Sequence, residues 1–212
     1  MTNAIHVTVE RALEGRRLLT HHFYQRWEEG TVTKAELARY AEQYRFFETF
    51  LPEFLTEVAS RLDDGPTKDC VIDNLRDETA TPSHLELFER FAEAYGAGDA
   101  AISPAMSSLI NAYRQSIDEG VAVAVAGLLA YEVQGSDIAT SKARGLKLHY
   151  QATTPALEFW EAHGRIEEDH ARWTLEGLDA LSPSVADVER GVDLVAGAWW
   201  TFLDEREALA LA

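Results

Sequence analysis

One stretch constrains this chain more than any other: Phe159-Trp160-Glu161-Ala162-His163-Gly164-Arg165-Ile166-Glu167-Glu168-Asp169-His170. Read as a helix, it stacks His163, Glu167 and His170 at i, i+4 and i+7 on one face. Phe159, Trp160 and Ile166 share that face, so two imidazoles and a carboxylate fall in a stripe that should be buried. Buried polar groups cost free energy unless they are satisfied. Either each finds its own hydrogen-bond partner, or one or more metal ions satisfy all three together.

The surrounding chain reads as long helical patterns separated by short breakers. A first helix is expected over Ala4 to Glu29, stopped by Gly30. A second starts at Thr33, where Glu36 three residues on completes a capping box, and runs to about Leu62 with a kink or break at Pro52. Further helices are expected from about Val71 to Thr81, His84 to Gly96, Pro104 to Glu119, Val121 to Tyr150, Thr154 (as cap, with Pro155 first) onward, and Pro183 to Leu209. Val121 to Ala126 alternates Val and Ala, as a strand would, but the pattern continues without a turn signal and is assigned to helix. The expected class is an all-α single domain, a bundle of about seven or eight helices over residues 1–212.

Bulk properties narrow the function. A net charge of −17 disfavours nucleic acid and anionic membrane surfaces as partners, because both need basic patches. Cys70 is the single cysteine, which rules out an intrachain disulfide or a thiolate cluster and fits a reducing cytoplasm. The start of the chain shows no signal-peptide pattern, and the longest uncharged run, Gly120 to Tyr131, is too short to span a bilayer.

Three further residues join the opening stretch. Glu132 lies on the stripe of Val125, Leu128 and Leu129, so it is a buried carboxylate wanting a cation, a proton or a buried basic partner. Glu78 and His84 flank a helix break, where two surface residues beside a turn would look the same. Glu78, His84, Glu132, His163, Glu167 and His170 form a set of oxygen and nitrogen donors without sulfur, which suits iron or manganese better than zinc. Glu167-x-x-His170 has the spacing that carboxylate-bridged di-iron bundles use.

Five stretches carry a resemblance: His22-Phe23-Tyr24-Gln25-Arg26-Trp27, Asp73-Asn74-Leu75-Arg76-Asp77-Glu78, Leu129-Ala130-Tyr131-Glu132-Val133-Gln134, Lys142-Ala143-Arg144-Gly145-Leu146-Lys147, and His163 through His170. Together the chain resembles the haem-oxygenase-like di-iron oxidases, a superfamily that also holds thiaminase-type and pyrroloquinoline-quinone-synthase-type proteins. It looks closest to the 4-aminobenzoate synthase group. The resemblance implies two metal ions, Fe/Fe or Fe/Mn, on the six residues above, with dioxygen as co-substrate. It further implies that Tyr24 is the sacrificed source of the product's ring, that Lys142 is its nitrogen donor, and that Tyr40 and Tyr131 are further site tyrosines. One position departs from the group: Phe159 stands where a tyrosine is usual.

Other readings stay open at this level. Tyr24 sits between Phe23 and Trp27 and could be plain core, and Lys142 could be a solvated surface lysine. His21 and His22 offer a haem ligand, without a distal-pocket pattern to accompany them. A thiaminase-type reaction needs a pocket cysteine, and Cys70 is misplaced for it. The substrate could instead be an external fatty acid, amino acid or amine, or the chain could be a non-enzymatic binding module. Trp199 and Trp200 are candidates for a homodimer interface.

Overall fold

A computed structural model describes residues 2–209. Among the described residues there are nine α-helices, one 3-10 turn and no strand. They are α1 (Thr2–Ala12), α2 (His22–Glu29), α3 (Lys34–Arg61), α4 (Pro66–Glu78), α5 (His84–Tyr95), α6 (Pro104–Glu119), α7 (Val121–His149), α8 (Thr154–Ala180) and α9 (Val185–Ala208).

The first expected helix is in fact two. Gly15 takes a left-handed φ of 77° after α1, a conformation open to glycine at little cost. A 3-10 turn over Leu18–Thr20 follows, and the extended His21 caps α2 by accepting the Phe23 N–H at 3.1 Å. The break lets the Leu18 amide reach into the bundle and donate to Gln134 Oε1 at 2.9 Å. A tertiary hydrogen bond thus replaces the helical one that periodicity alone would assign.

The capping box at Thr33 and Glu36 is present, and α3 runs through Pro52 without ending. Pro52 has no N–H for the carbonyl four residues back, which belongs to Glu48. At α8 the cap is Thr153, extended at φ −79° and ψ 162°, so Thr154 is the first helical residue rather than the cap.

Helix α7 is the axis of the bundle and packs most extensively on α8 and α9. It is long and apolar enough to cross a membrane by length and composition, yet 72% of that apolar window is buried inside the protein. Its apolar character is therefore spent on the core. Small residues let its neighbours approach: a Cβ at Gly191 of α9 would meet the Val123 carbonyl at 2.3 Å, and one at Gly135 would meet Glu167 Oε2 at 2.7 Å. Mid-helix glycine costs roughly 1 kcal/mol against alanine. Close helix crossings are what that cost makes possible here. Trp199, expected at an interface, lies in this core, while Trp200 is half-buried with its ring against His21.

Candidate metal centre

The last turn of α4 supplies Glu78, the first residue of α5 supplies His84, the middle of α7 supplies Glu132, and α8 supplies His163, Glu167 and His170. None of the six is more than 6% exposed. Donor atoms of Glu78, His84 and His163 lie within 4.8 Å of one another. His163 Nε2 is 3.8 Å from Glu167 Oε1, and the His84 ring centre is 4.3 Å from that of His163 and 6.5 Å from that of His170. Periodicity brought the α8 residues to one face; tertiary packing brought the other three to the same place.

Surrounding groups orient the donors. His163 Nδ1 donates to the Phe159 carbonyl at 3.0 Å, which leaves its Nε2 facing the cluster. His84 Nδ1 lies 2.8 Å from Glu78 Oε2, and His170 Nε2 lies 3.2 Å from Asp77 Oδ2. Glu132 accepts hydrogen bonds from Asn74 and Thr174, both neutral. A cavity of about 20 Å³ opens among them, lined by five of the six donors together with Glu48, Tyr44, Tyr131 and apolar side chains.

The electrostatics are those of a site short of positive charge. Burial pushes the Glu167 carboxyl well above its ordinary range, and the charges of Glu132 and Glu78 push it further. Burial raises Glu132 as well, against the opposing influence of His170, Thr174 and Asn74. Burial drives His163 well below its ordinary value, helped by neighbouring His84. Glu132 Oε2 and Glu167 Oε2 are buried without any hydrogen-bond partner. Bound cations would supply partners for these oxygens, and a carboxylate–imidazole set without sulfur suits iron or manganese. Gly135 fits this picture, because any larger residue would occupy the space that Glu167 needs.

A second polar group adjoins the first. Lys142, 2% exposed, donates from Nζ to Tyr24 Oη at 2.9 Å and to Tyr40 Oη at 2.7 Å, and the two phenol oxygens lie 3.0 Å apart. It is no surface lysine, and Tyr24 is no plain core residue. The rings of Trp160 and Tyr24 lie with centres 4.2 and 4.3 Å from Nζ. Burial pushes the Lys142 ammonium well below its ordinary pKa, with the charge of Glu48 opposing. Burial raises both phenols, so both stay protonated. Tyr131 bonds to Tyr44 at 2.9 Å, and the Tyr44 ring stacks on Tyr40 at 5.3 Å, so Tyr44 and Tyr131 form the wall between the two groups.

Tyr44, Glu48, Asn74, Asp77 and Thr174 were missed by the sequence reading. Glu48 carried a usable signal, since it shares a helical face with Tyr44, Leu51 and Leu55 just as Glu132 shares one with Leu128 and Leu129. The remaining candidates lie elsewhere. Cys70 is half-buried on α4 beside Gly177, outside the cavity lining, and burial raises its thiol pKa. His21 caps α2 and faces Asp204, and the exposed His22 faces Glu207.

Inward carboxylates and imidazoles from four helices of an all-α bundle define a candidate metal site of oxygen and nitrogen donors. The family of iron-containing redox enzymes matches residues 38–204, and the chain belongs to that family. It is 31% identical to the 4-aminobenzoate synthase of Nitrosomonas europaea, over 96% of this chain and 91% of that one. It is 29% identical to the 4-aminobenzoate synthase of Chlamydia pneumoniae, over 92% and 91%. Among solved structures, a CADD-like protein from Nostoc punctiforme has a TM-score of 0.82 at 17% identity, covering 100% of this chain and 99% of that one. A TenA homologue from Pseudomonas syringae also reaches 0.82, at 15% identity over 97% and 93%. A protein of Shewanella denitrificans with a haem-oxygenase-like fold has a TM-score of 0.74 at 16% identity, covering 99% of this chain and 91% of that one. The fold is thus haem-oxygenase-like, as the resemblance implied.

Proposed function

We propose that this protein is a dinuclear iron enzyme that makes 4-aminobenzoate, taking the ring from its own Tyr24 and the nitrogen from Lys142. The observation that carries this reading is the pairing of Lys142 Nζ with Tyr24 Oη at 2.9 Å in a closed interior. A neutral amine has two hydrogens and one lone pair. Here the hydrogens go to the oxygens of Tyr24 and Tyr40, and the lone pair stays free for bond formation. Burial lowers the Nζ pKa and so favours the neutral amine, while packing holds the phenol of Tyr24 against it, so donor and ring source need no diffusional encounter.

Glu78, His84, Glu132, His163, Glu167 and His170 would hold the two ions, as Fe/Fe or Fe/Mn. Iron held there would supply oxidising chemistry with dioxygen. A cavity of about 20 Å³ has room for little more than a water-sized guest, which favours a substrate already built into the chain over an external fatty acid, amino acid or amine. Names of the 4-aminobenzoate synthases at 29% and 31% identity support the product.

The test is isotopic. Protein grown with ring-labelled tyrosine, loaded with ferrous iron and exposed to oxygen, is expected to release ring-labelled 4-aminobenzoate. Tyr24→Phe should release none, and should fail to rescue a strain lacking its usual route to this compound. Unlabelled product, or undiminished rescue by Tyr24→Phe, would exclude Tyr24 as the source.

A further inference from the structure

The six candidate donors do not account for every carboxylate aimed at the cavity. Glu48 of α3 is 3% exposed and lines the same cavity as Glu78, Glu132, His163, Glu167 and His170. One of its oxygens, Oε2, is buried with no hydrogen-bond partner, the condition also met by Glu132 Oε2 and Glu167 Oε2. Burial raises its pKa, against the neighbouring Tyr44 hydroxyl that lowers it, and that hydroxyl is joined to the one of Tyr131. The carboxylate therefore has a phenol beside it, while its Oε2 is unpaired. That is how a metal-ligating carboxylate is usually presented: one oxygen oriented by an outer group and one left for the ion.

A structural role does not explain the arrangement. A fourth buried acid, facing three others, costs stability unless a cation compensates it. Lys142, the buried amine in this interior, already gives hydrogens to Tyr24 and Tyr40. The backbone also departs from regularity here, because Pro52 withholds the N–H that would bond the Glu48 carbonyl.

We infer that Glu48 is a seventh metal ligand, a fourth carboxylate that binds one of the two ions through its unpartnered oxygen. This rests on the dinuclear reading of the site. With Glu48, α3 joins α4, α5, α7 and α8 in holding the ions, and the carboxylates outnumber the imidazoles four to three. Through Tyr44 the same residue ties the ions' surroundings to the wall shared with the Lys142 pocket.

The experiment uses metal-free full-length protein, titrated without oxygen with ferrous iron and, separately, with cobalt(II) as a spectroscopic probe. Wild type should take up two ions per chain. Glu48→Gln should hold one of them at least tenfold more weakly, with a changed cobalt ligand-field spectrum and a smaller metal-induced rise in thermal midpoint. Its metal-free form should be at least as stable as metal-free wild type, because an unpaired buried acid has been removed. Two ions bound at wild-type affinity with an unchanged spectrum would overturn the assignment, as would a loss of stability confined to the metal-free form. Should Glu48→Gln fail to fold, Glu48→Asp keeps the charge, draws the oxygens back by about one carbon–carbon bond, and is read in the same way. If wild type binds no metal, the dinuclear reading itself fails. Retention of both ions by Glu48→Gln fails only the assignment of Glu48.

Discussion

Around Lys142, the amine and both phenol oxygens find one another: Nζ reaches Tyr24 and Tyr40, and the two hydroxyls reach each other at 3.0 Å. Across the wall of Tyr44 and Tyr131, oxygens of Glu48, Glu132 and Glu167 have no partner at all. Both regions are buried, and both lie in the same bundle. In one the amine and phenol oxygens are paired by protein atoms, and in the other three carboxylate oxygens are left unpaired. The contrast teaches that burial by itself does not mark a binding site; what marks it is burial together with unmet hydrogen-bonding capacity. On the proposed function it also divides the chemistry, since the Lys142 pocket would hold what is consumed and the carboxylate-rich cavity would hold what does the oxidising.

Variants on the two sides should therefore separate. The largest effect expected is loss of product below detection in both Lys142→Met and His163→Ala. The first should keep wild-type metal content by elemental analysis, and the second should not. Equal metal loss in both would dissolve the distinction. Next in size, His163→Ala should weaken binding of at least one ion by 10- to 100-fold, measured by anaerobic titration.

Gly135→Ala should destabilise the fold by about 1–3 kcal/mol in denaturant titration, because its Cβ would displace the Glu167 carboxylate. The same substitution should lower metal uptake; unchanged uptake would show that Glu167 tolerates displacement.

The pH dependence of stability sharpens the contrast, since the two regions slope in opposite directions. Glu167 has a folded pKa above the ordinary 4.5, so the folded state binds more protons above that pH and stability falls as pH rises. Lys142 has a folded pKa below the ordinary 10.5, so the unfolded state binds more protons below 10.5 and stability rises with pH toward that value. Metal-free wild type compared with Glu167→Gln should show the first slope, and compared with Lys142→Met the second. Saturating metal should remove the first slope and leave the second. The smallest effect is on Lys142→Met itself, which at neutral pH should be as stable as wild type or up to about 1 kcal/mol more so. Tyr24 and Tyr40 still bond each other without it, and a buried amine has been exchanged for an apolar chain.

Much of this arrangement was legible in advance, for reasons visible at particular residues. Thr33 with Glu36, and the apolar stripes of α3 and α7, are local signals that need no tertiary knowledge. So is the shared face of His163, Glu167 and His170, since 3.6 residues per turn fixes it wherever the helix sits. The break between α1 and α2 was not legible, because Leu18 is paid for by Gln134, 116 residues away. Glu48 was overlooked although its stripe was in view, and Asn74 became a partner of Glu132 only across 58 residues.

What the chain determined by itself is therefore its helical class, its caps and which side chains share a face, all set by interactions a few residues long. Which faces meet was decided by tertiary structure alone. Lys142 illustrates the reason: a lysine beside Ala139 and Ala143 is equally suited to solvent or core, and only Tyr24, Tyr40 and Trp160, arriving on three other helices, enclose it. Burial is a property of the assembled helices, and with it come the displaced pKa values and the unpaired oxygens of Glu48, Glu132 and Glu167.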